Sequence, residues 1–198
     1  MKMKKTRKII LYAMTLILLV NIAACSSPDK ANQNINPVDV LKAVMNKLDL
    51  DPEDIGVQYY SEGDEDHVFD EILLRMMFPP GFIEEDGADI EYTMDLFTRY
   101  AIVQYERYAP EIFEIGIFKL SSLSPLNDVP FKNNLKKVEN MCKERIAKVK
   151  REIFEYAPGK AYYADNTTVG IFDNYVYYIV AEKSETAYET VKSELLLH

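Results

Sequence analysis

The stretch Tyr100–Leu120 reads YAIVQYERYAPEIFEIGIFKL, and its two runs of β-branched and aromatic residues decide the fold. Tyr100–Tyr108 and Ile112–Leu120 have strand composition, and Ala109-Pro110-Glu111 separates them, so an antiparallel hairpin is predicted. In the second run Phe113, Ile115 and Ile117 alternate with Glu114 and Gly116, which buries at least one face. Both strands are candidates for the centre of a sheet.

Outward from this hairpin the apolar period lengthens. Pro130–Tyr156 carries Leu135, Val138, Met141, Cys142, Ile146, Val149, Ile153 and Phe154 at helical spacing, with Lys and Glu crowding the other face, and is the longest helix predicted. Pro158-Gly159 ends it. Two strands follow, Thr168–Phe172 and Tyr175–Ala181, joined by a tight turn at Asp173-Asn174. Ser184 then caps a last helix through Ala187, Tyr188, Val191 and Leu195. On the N-terminal side, Asn36-Pro37 starts a helix whose Val40, Leu41, Val44, Met45 and Leu48 share one face and which stops at Asp51-Pro52. A second helix is predicted over Glu65–Phe78, from Val68, Phe69, Ile72, Leu73, Met76 and Met77, before Pro79-Pro80-Gly81 breaks it. Phe82–Thr98 is acidic and reads as a loop with a short helix.

This order predicts one α+β domain over residues 37–198, with an antiparallel sheet built from two hairpins and the long and shorter helices packed on one face. No fixed-period repeat is present; Tyr108-Ala109-Pro110 and Tyr156-Ala157-Pro158 are two isolated tripeptides.

Residues 1–24 read as an export segment. Lys2, Lys4, Lys5, Arg7 and Lys8 precede the apolar run Ile9–Val20, which is too short for a permanent span of about 20 residues. Ile22-Ala23-Ala24-Cys25 follows and resembles the bacterial lipobox. That resemblance implies diacylglycerol on the Cys25 sulfur, cleavage between Ala24 and Cys25, and in many bacteria acylation of the new amino group by a chain such as palmitate. Each buried methylene contributes about 0.8 kcal/mol, so two or more chains anchor stably. Ser26–Asn36, SSPDKANQNIN, lacks periodicity and reads as a tether. As a coil of about eleven residues it spans on the order of 18 Å.

Removing the five leader cations from a net charge of -9 leaves -14. That sign disfavours nucleic acid and anionic headgroups as partners. With Cys25 taken by lipid only Cys142 remains, so no internal disulfide forms.

Glu114-Ile115-Gly116-Ile117-Phe118-Lys119, the long helix with Glu144-Arg145, its Phe154-Glu155-Tyr156-Ala157-Pro158 exit and the Asn174-Tyr175-Val176 strand resemble one family. It is a group of small lipoproteins from clostridia and related Firmicutes, catalogued only as a domain of unknown function. The resemblance covers Val38–Val191 and is strongest over Glu114–Val180. It implies a Gram-positive envelope and the outer face of the cytoplasmic membrane, and brings no activity, cofactor or partner. Tyr60–Arg99 is longer and more acidic here than the family pattern.

Chemical motifs are sparse. His67 and the terminal His198 are the two histidines, and no G-x-S-x-G, H-E-x-x-H or Gly-rich phosphate loop occurs. His67 and Glu71 stand four apart on the predicted second helix but are too few for zinc, and a solvated helix face is the expectation. Asp64-Glu65-Asp66 and Glu84-Glu85-Asp86 with Asp89 lack calcium-loop spacing and read as surface. A carboxylate pair for glycoside chemistry is defined only in space. Cys142 reads as a packing residue. Tyr162, Tyr163, Tyr175, Tyr177 and Tyr178 suit either a recognition strip for peptide or wall glycan or, the favoured reading, sheet packing, with Tyr175 and Tyr177 on one side and Tyr178 on the other. The expectation is a non-enzymatic, lipid-anchored extracytoplasmic module that binds an envelope protein or wall component without metal or cofactor. The alternative is an envelope enzyme or small-molecule or metal binder whose acids assemble a site in space.

Overall fold

Five strands form one sheet: β1 (Val57–Tyr60), β2 (Phe97–Gln104), β3 (Phe113–Leu120), β4 (Thr167–Phe172) and β5 (Tyr175–Ala181). Their order is β1-β2-β3-β5-β4, and every neighbouring pair is antiparallel. The computed structural model describes residues 35–52, 54–62, 68–79, 92–104, 112–121 and 129–196, all within one compact unit, Asn32–His198. The hairpin read from Tyr100–Leu120 is present as β2 and β3, with Ala101 opposite Ile117 and Val103 opposite Ile115. Its predicted turn, Ala109-Pro110-Glu111, lies outside the described residues. The second hairpin turns at Asp173-Asn174, where Asp173 takes a left-handed φ of 51°. A two-residue loop of that hand matches strand twist.

Four α-helices flank the sheet: α1 (Pro37–Leu48), α2 (Glu71–Met77), α3 (Val129–Tyr156) and α4 (Ser184–Leu196). Helix α1 begins as its sequence directs, with the Asn36 side chain accepting from the Val38 N–H at 3.1 Å and Pro37 in the first turn. A 3-10 turn over Pro158–Asp165 continues from α3.

The α+β class and the antiparallel sheet stand as predicted, but the helices do not share one face. Two apolar clusters lie on opposite sides of the sheet. One joins Tyr100, Ile102, Phe118, Val176, Tyr178 and Val180 to Val138, Met141, Cys142 and Val149 of α3 and to Leu74, Met77 and Phe78 around α2. The other joins Ala101, Val103, Ile115, Ile117, Tyr175, Tyr177 and Ile179 to α1 and to Ala187, Val191 and Leu195 of α4. The physical reason lies in β5, YVYYIVA, which is apolar on both sides and buried along its whole length. A strand without a polar face needs a layer on each side. Both clusters are complete within Asn32–His198, so that unit carries its own core.

Three further readings change. The sheet is not made of two hairpins alone, because Val57–Tyr60 adds an edge strand beside β2. Helix α2 starts at Glu71 rather than Glu65, since the Asp70 carboxylate accepts from the Leu73 N–H at 2.8 Å and caps it. Phe154 is 73% exposed, because the buried stripe of α3 runs through Val138, Cys142, Val149 and Ile153 and Phe154 stands about 100° from Ile153.

Gly116 faces Tyr178 across β3 and β5, and a Cβ there would lie 2.3 Å from Cε1 of that ring. Gly159 has nothing within 4 Å of the same atom. Gly116→Ala is expected to cost about 1–3 kcal/mol by overpacking. Gly159→Ala should stay within about 0.5 kcal/mol of the parent, with urea unfolding as the measurement for both.

Candidate functional site

The densest polar chemistry in the described chain sits between the sheet and α3. Phe113, Ile115 and Ile117 point toward α1 and α4, so Glu114, between them, points toward α3, where it is fully buried. The Tyr178 ring leans across Gly116 and its hydroxyl donates to Glu114 Oε1 at 2.8 Å. Arg145 descends from α3 and closes on the same carboxylate with two arms, Nε to Oε1 at 2.6 Å and Nη2 to Oε2 at 2.8 Å. Its third arm, Nη1, donates to the Met77 carbonyl at 3.3 Å. One turn further along, Lys148 Nζ donates to the Met76 carbonyl at 2.5 Å.

These contacts follow from what each element leaves unsatisfied. The last carbonyls of α2 have no partner within the helix, and cations suit that end of its dipole. A planar guanidinium matches a carboxylate with two parallel N–H bonds, which an ammonium cannot do. Burial and then the adjacent Glu114 charge hold the Tyr178 phenol well above its ordinary pKa, so it stays a donor. Burial opposes the charge on Arg145, but the Glu114 carboxylate and its hydrogen bond outweigh it, and the guanidinium pKa is raised. With Arg145 1% and Glu114 0% exposed, the cluster clamps β3, β5, α2 and α3 together out of reach of solvent.

Of the residues singled out from the sequence, Cys25 and Ala24 lie outside the described residues, as do His67, Asp64-Glu65-Asp66, Glu84-Glu85-Asp86 and Asp89. His67 lies outside the described residues, and Val68–Asp70, which precede Glu71, are not helical. Glu71 instead accepts from the Met94 N–H at 3.0 Å. Cys142 is buried on the α3 stripe, and burial first, then Glu139, raises its thiol pKa, which suppresses the thiolate. Tyr175, Tyr177 and Tyr178 pack in the sheet on the sides the alternation assigns, while Tyr162 is exposed and stacks on the buried Tyr163 at 4.2 Å. Among the described residues no three His, Cys, Asp or Glu side chains converge as metal ligands.

Two surface features remain. A groove of about 570 Å³ runs along the exposed side of α4, lined by Glu185, Glu189 and Glu194 with Lys47 at the end of α1. The second is where the chain enters the domain. Tyr175 donates to the Ile35 carbonyl at 2.7 Å, and the Lys119 ammonium sits 5.4 Å from the centre of the same ring. Asn36 Nδ2 reaches Glu62, which also pairs with Arg99 at 3.0 Å. The start of the described chain is thereby fastened to the first residue of β5 and to Glu62 just past β1.

The Glu114–Arg145–Tyr178 clamp was not recognised from the sequence. Its signal was an Arg on the apolar stripe of a long helix together with a Glu inside a strand apolar on both sides, two opposite charges at positions that must both be buried. Comparison with protein-family models, with curated proteins and with solved structures found no match to this chain.

Arg145→Lys keeps the charge and loses the fork, and is expected to destabilise the fold by about 1–3 kcal/mol in urea unfolding. At alkaline pH the tyrosines dominate. Burial, with a smaller push from Asp173 set against the bond to Ile35, takes the Tyr175 phenol up to about 12. In the unfolded chain a phenol titrates near 10. The stabilisation from keeping Tyr175 neutral is therefore complete below about pH 10 and is lost as pH rises toward 12. Phenolate absorbance should show this late ionisation in the parent, and Tyr175→Phe should lose less stability than the parent between pH 10 and 12.

Proposed function

We propose that this chain is a membrane-anchored lipoprotein of the outer cytoplasmic-membrane face, held through Cys25, whose domain is a non-enzymatic binding module of the cell envelope. The single observation that carries the proposal is Ile22-Ala23-Ala24-Cys25 placed directly after a basic and then apolar segment. Among the described residues no helix is long and apolar enough to cross a membrane. Ile35, the first residue of the described chain, is fastened to Tyr175 and stands ten residues after Cys25, and ten residues reach at most about 36 Å, so the anchor would keep Ile35 within that distance of the bilayer.

The binding role is favoured over catalysis by the way the buried acid is used. Both oxygens of Glu114 are taken up by Arg145 and one of them also by Tyr178, and among the described residues the acids Glu185, Glu189 and Glu194 line an open groove rather than a cleft that excludes water. In the same reading the chain belongs with the clostridial lipoproteins it resembles. Glu114, Gly116 and Arg145 belong to the segments that carry the resemblance, and all three build the clamp.

Intact mass measurement of the protein extracted from native membranes tests the anchor. The expected species lacks Met1–Ala24 and carries diacylglycerol on Cys25, and Cys25→Ser should leave an unlipidated chain with its leader retained. A native chain with an intact leader, or with a free thiol at Cys25, would overturn the proposal.

A further inference from the structure

Helix α3 inverts the sign of the protein. Its 28 residues carry eight Lys or Arg against four Glu, a net of +4 in a chain whose net charge is -9. Lys132, Lys136, Lys143 and Lys150 follow one another at spacings of four, seven and seven residues. At about 100° per residue those spacings keep all four within about 40° around the helix, along roughly 27 Å of its length. Lys132, Lys136 and Lys143 are exposed and Lys150 is half-buried, so the line runs along the outer side, away from the Val138, Cys142, Val149 and Ile153 stripe on the sheet. Phe154 stands four residues beyond Lys150 on the same line and is 73% exposed.

Glu139 lies at the border of this line and pairs with Lys143 at 2.7 Å, and Arg151, beside Phe154, pairs with Glu155 at 2.8 Å. Among the described residues Lys132, Lys136 and Lys150 make no ion pair. Across the sheet the sign reverses, because Glu185, Glu189 and Glu194 line the α4 groove. The domain is therefore polarised from one layer to the other, basic outside α3 and acidic outside α4. Net acidity disfavours anionic partners for the chain as a whole, but a field this uneven presents one face that they attract.

We propose that the face of α3 running from Lys132 to Phe154 is a membrane-docking surface, which lays the helix on the anionic headgroups of the bilayer to which Cys25 is tied. The proposal rests on the anchor reading given above. Three features select a bilayer as the occupant. The line of ammonium groups is straight and lies on a convex outer surface, which suits a flat anionic layer. A soluble polyanion would satisfy the lysines but leave the Phe154 ring in water, whereas a headgroup layer takes the charges and the ring together. The tether has the reach. Ile35 packs with the α1 and α4 layer, and layers stack on the order of 10 Å apart, so the outer side of α3 lies roughly 25 Å from it. Ten residues extend to about 36 Å, which lets the anchor enter the same bilayer that α3 touches. In this orientation the acidic α4 groove faces away from the membrane.

Cosedimentation of the Asn32–His198 unit with vesicles of equal parts phosphatidylglycerol and phosphatidylcholine is the test. Binding is expected at about 10 mM salt, weakening toward about 150 mM as the screening length falls from about 30 to about 8 Å. Vesicles of phosphatidylcholine alone should not bind. Each basic residue at an anionic surface contributes roughly fivefold, so Lys132→Glu/Lys136→Glu/Lys150→Glu should weaken binding by about tenfold or more. Lys42→Glu/Lys183→Glu/Lys192→Glu makes the same change in net charge on the α1 and α4 side and should weaken it clearly less. The chain has no tryptophan, so Phe154→Trp places a single reporter at an exposed site, whether or not the triple variants fold. Its emission should shift to the blue on phosphatidylglycerol vesicles, while Leu196→Trp, exposed at the end of α4, should stay unmoved. A unit that fails to bind these vesicles at low salt overturns the proposal, as do equal losses from the two triple variants or an unmoved Phe154→Trp emission on bound protein. Binding to soluble polyphosphate with none to the vesicles would equally contradict a bilayer as the occupant. The unit lacks Cys25, so this result and the mass of the native chain fail independently.

Discussion

A single guanidinium holds four elements of this protein in register. Arg145 brings a full positive charge into the layer between α3 and the sheet, where such a charge is tolerated only if it is paired and hydrogen-bonded. Its three arms are used on two Glu114 oxygens and the Met77 carbonyl, and Tyr178 supplies the remaining bond to Glu114. The rest of the architecture accommodates that pair. Gly116 leaves room for the Tyr178 ring, and Lys148 secures the end of α2 beside Arg145.

Buried ion pairs are poor stabilisers compared with well-packed apolar residues of the same volume, yet removing one member alone is severe. The role of this pair is therefore geometric. An apolar contact would let α3 slide along the sheet, whereas a two-armed bond to one carboxylate fixes its height and rotation at Arg145. On the opposite side of the sheet no comparable clamp is needed, because α1 and α4 pack an apolar layer whose polar anchoring comes at its rim, from Tyr175 at Ile35 and from the Asn36 cap.

Much of this was legible in the sequence, for reasons that are local. The α1 start is written in Asn36-Pro37, α3 in its apolar period, and both hairpins in their strand composition, with Asp173-Asn174 closing the second. What escaped depended on partners distant in sequence. Glu114 reads as the polar member of an alternating strand until Arg145, 31 positions later, is known to neutralise it, and with that the sheet acquires two buried faces instead of one. Strand β1 has four residues and exists because β2 offers an edge. For the candidate site, Cys142 and the tyrosine alternation were readable from periodicity, whereas the clamp and the α4 groove arise only from tertiary placement.

The central claim is that Arg145 and Glu114 act as one unit, and a double-mutant cycle measures it directly. Urea unfolding of the parent, Arg145→Met, Glu114→Gln and the double variant gives the coupling. If the pair is the clamp, each single change costs about 3–5 kcal/mol, the double costs clearly less than their sum, and the coupling is at least about 2 kcal/mol. Additive losses, with coupling below about 0.5 kcal/mol, would contradict the account.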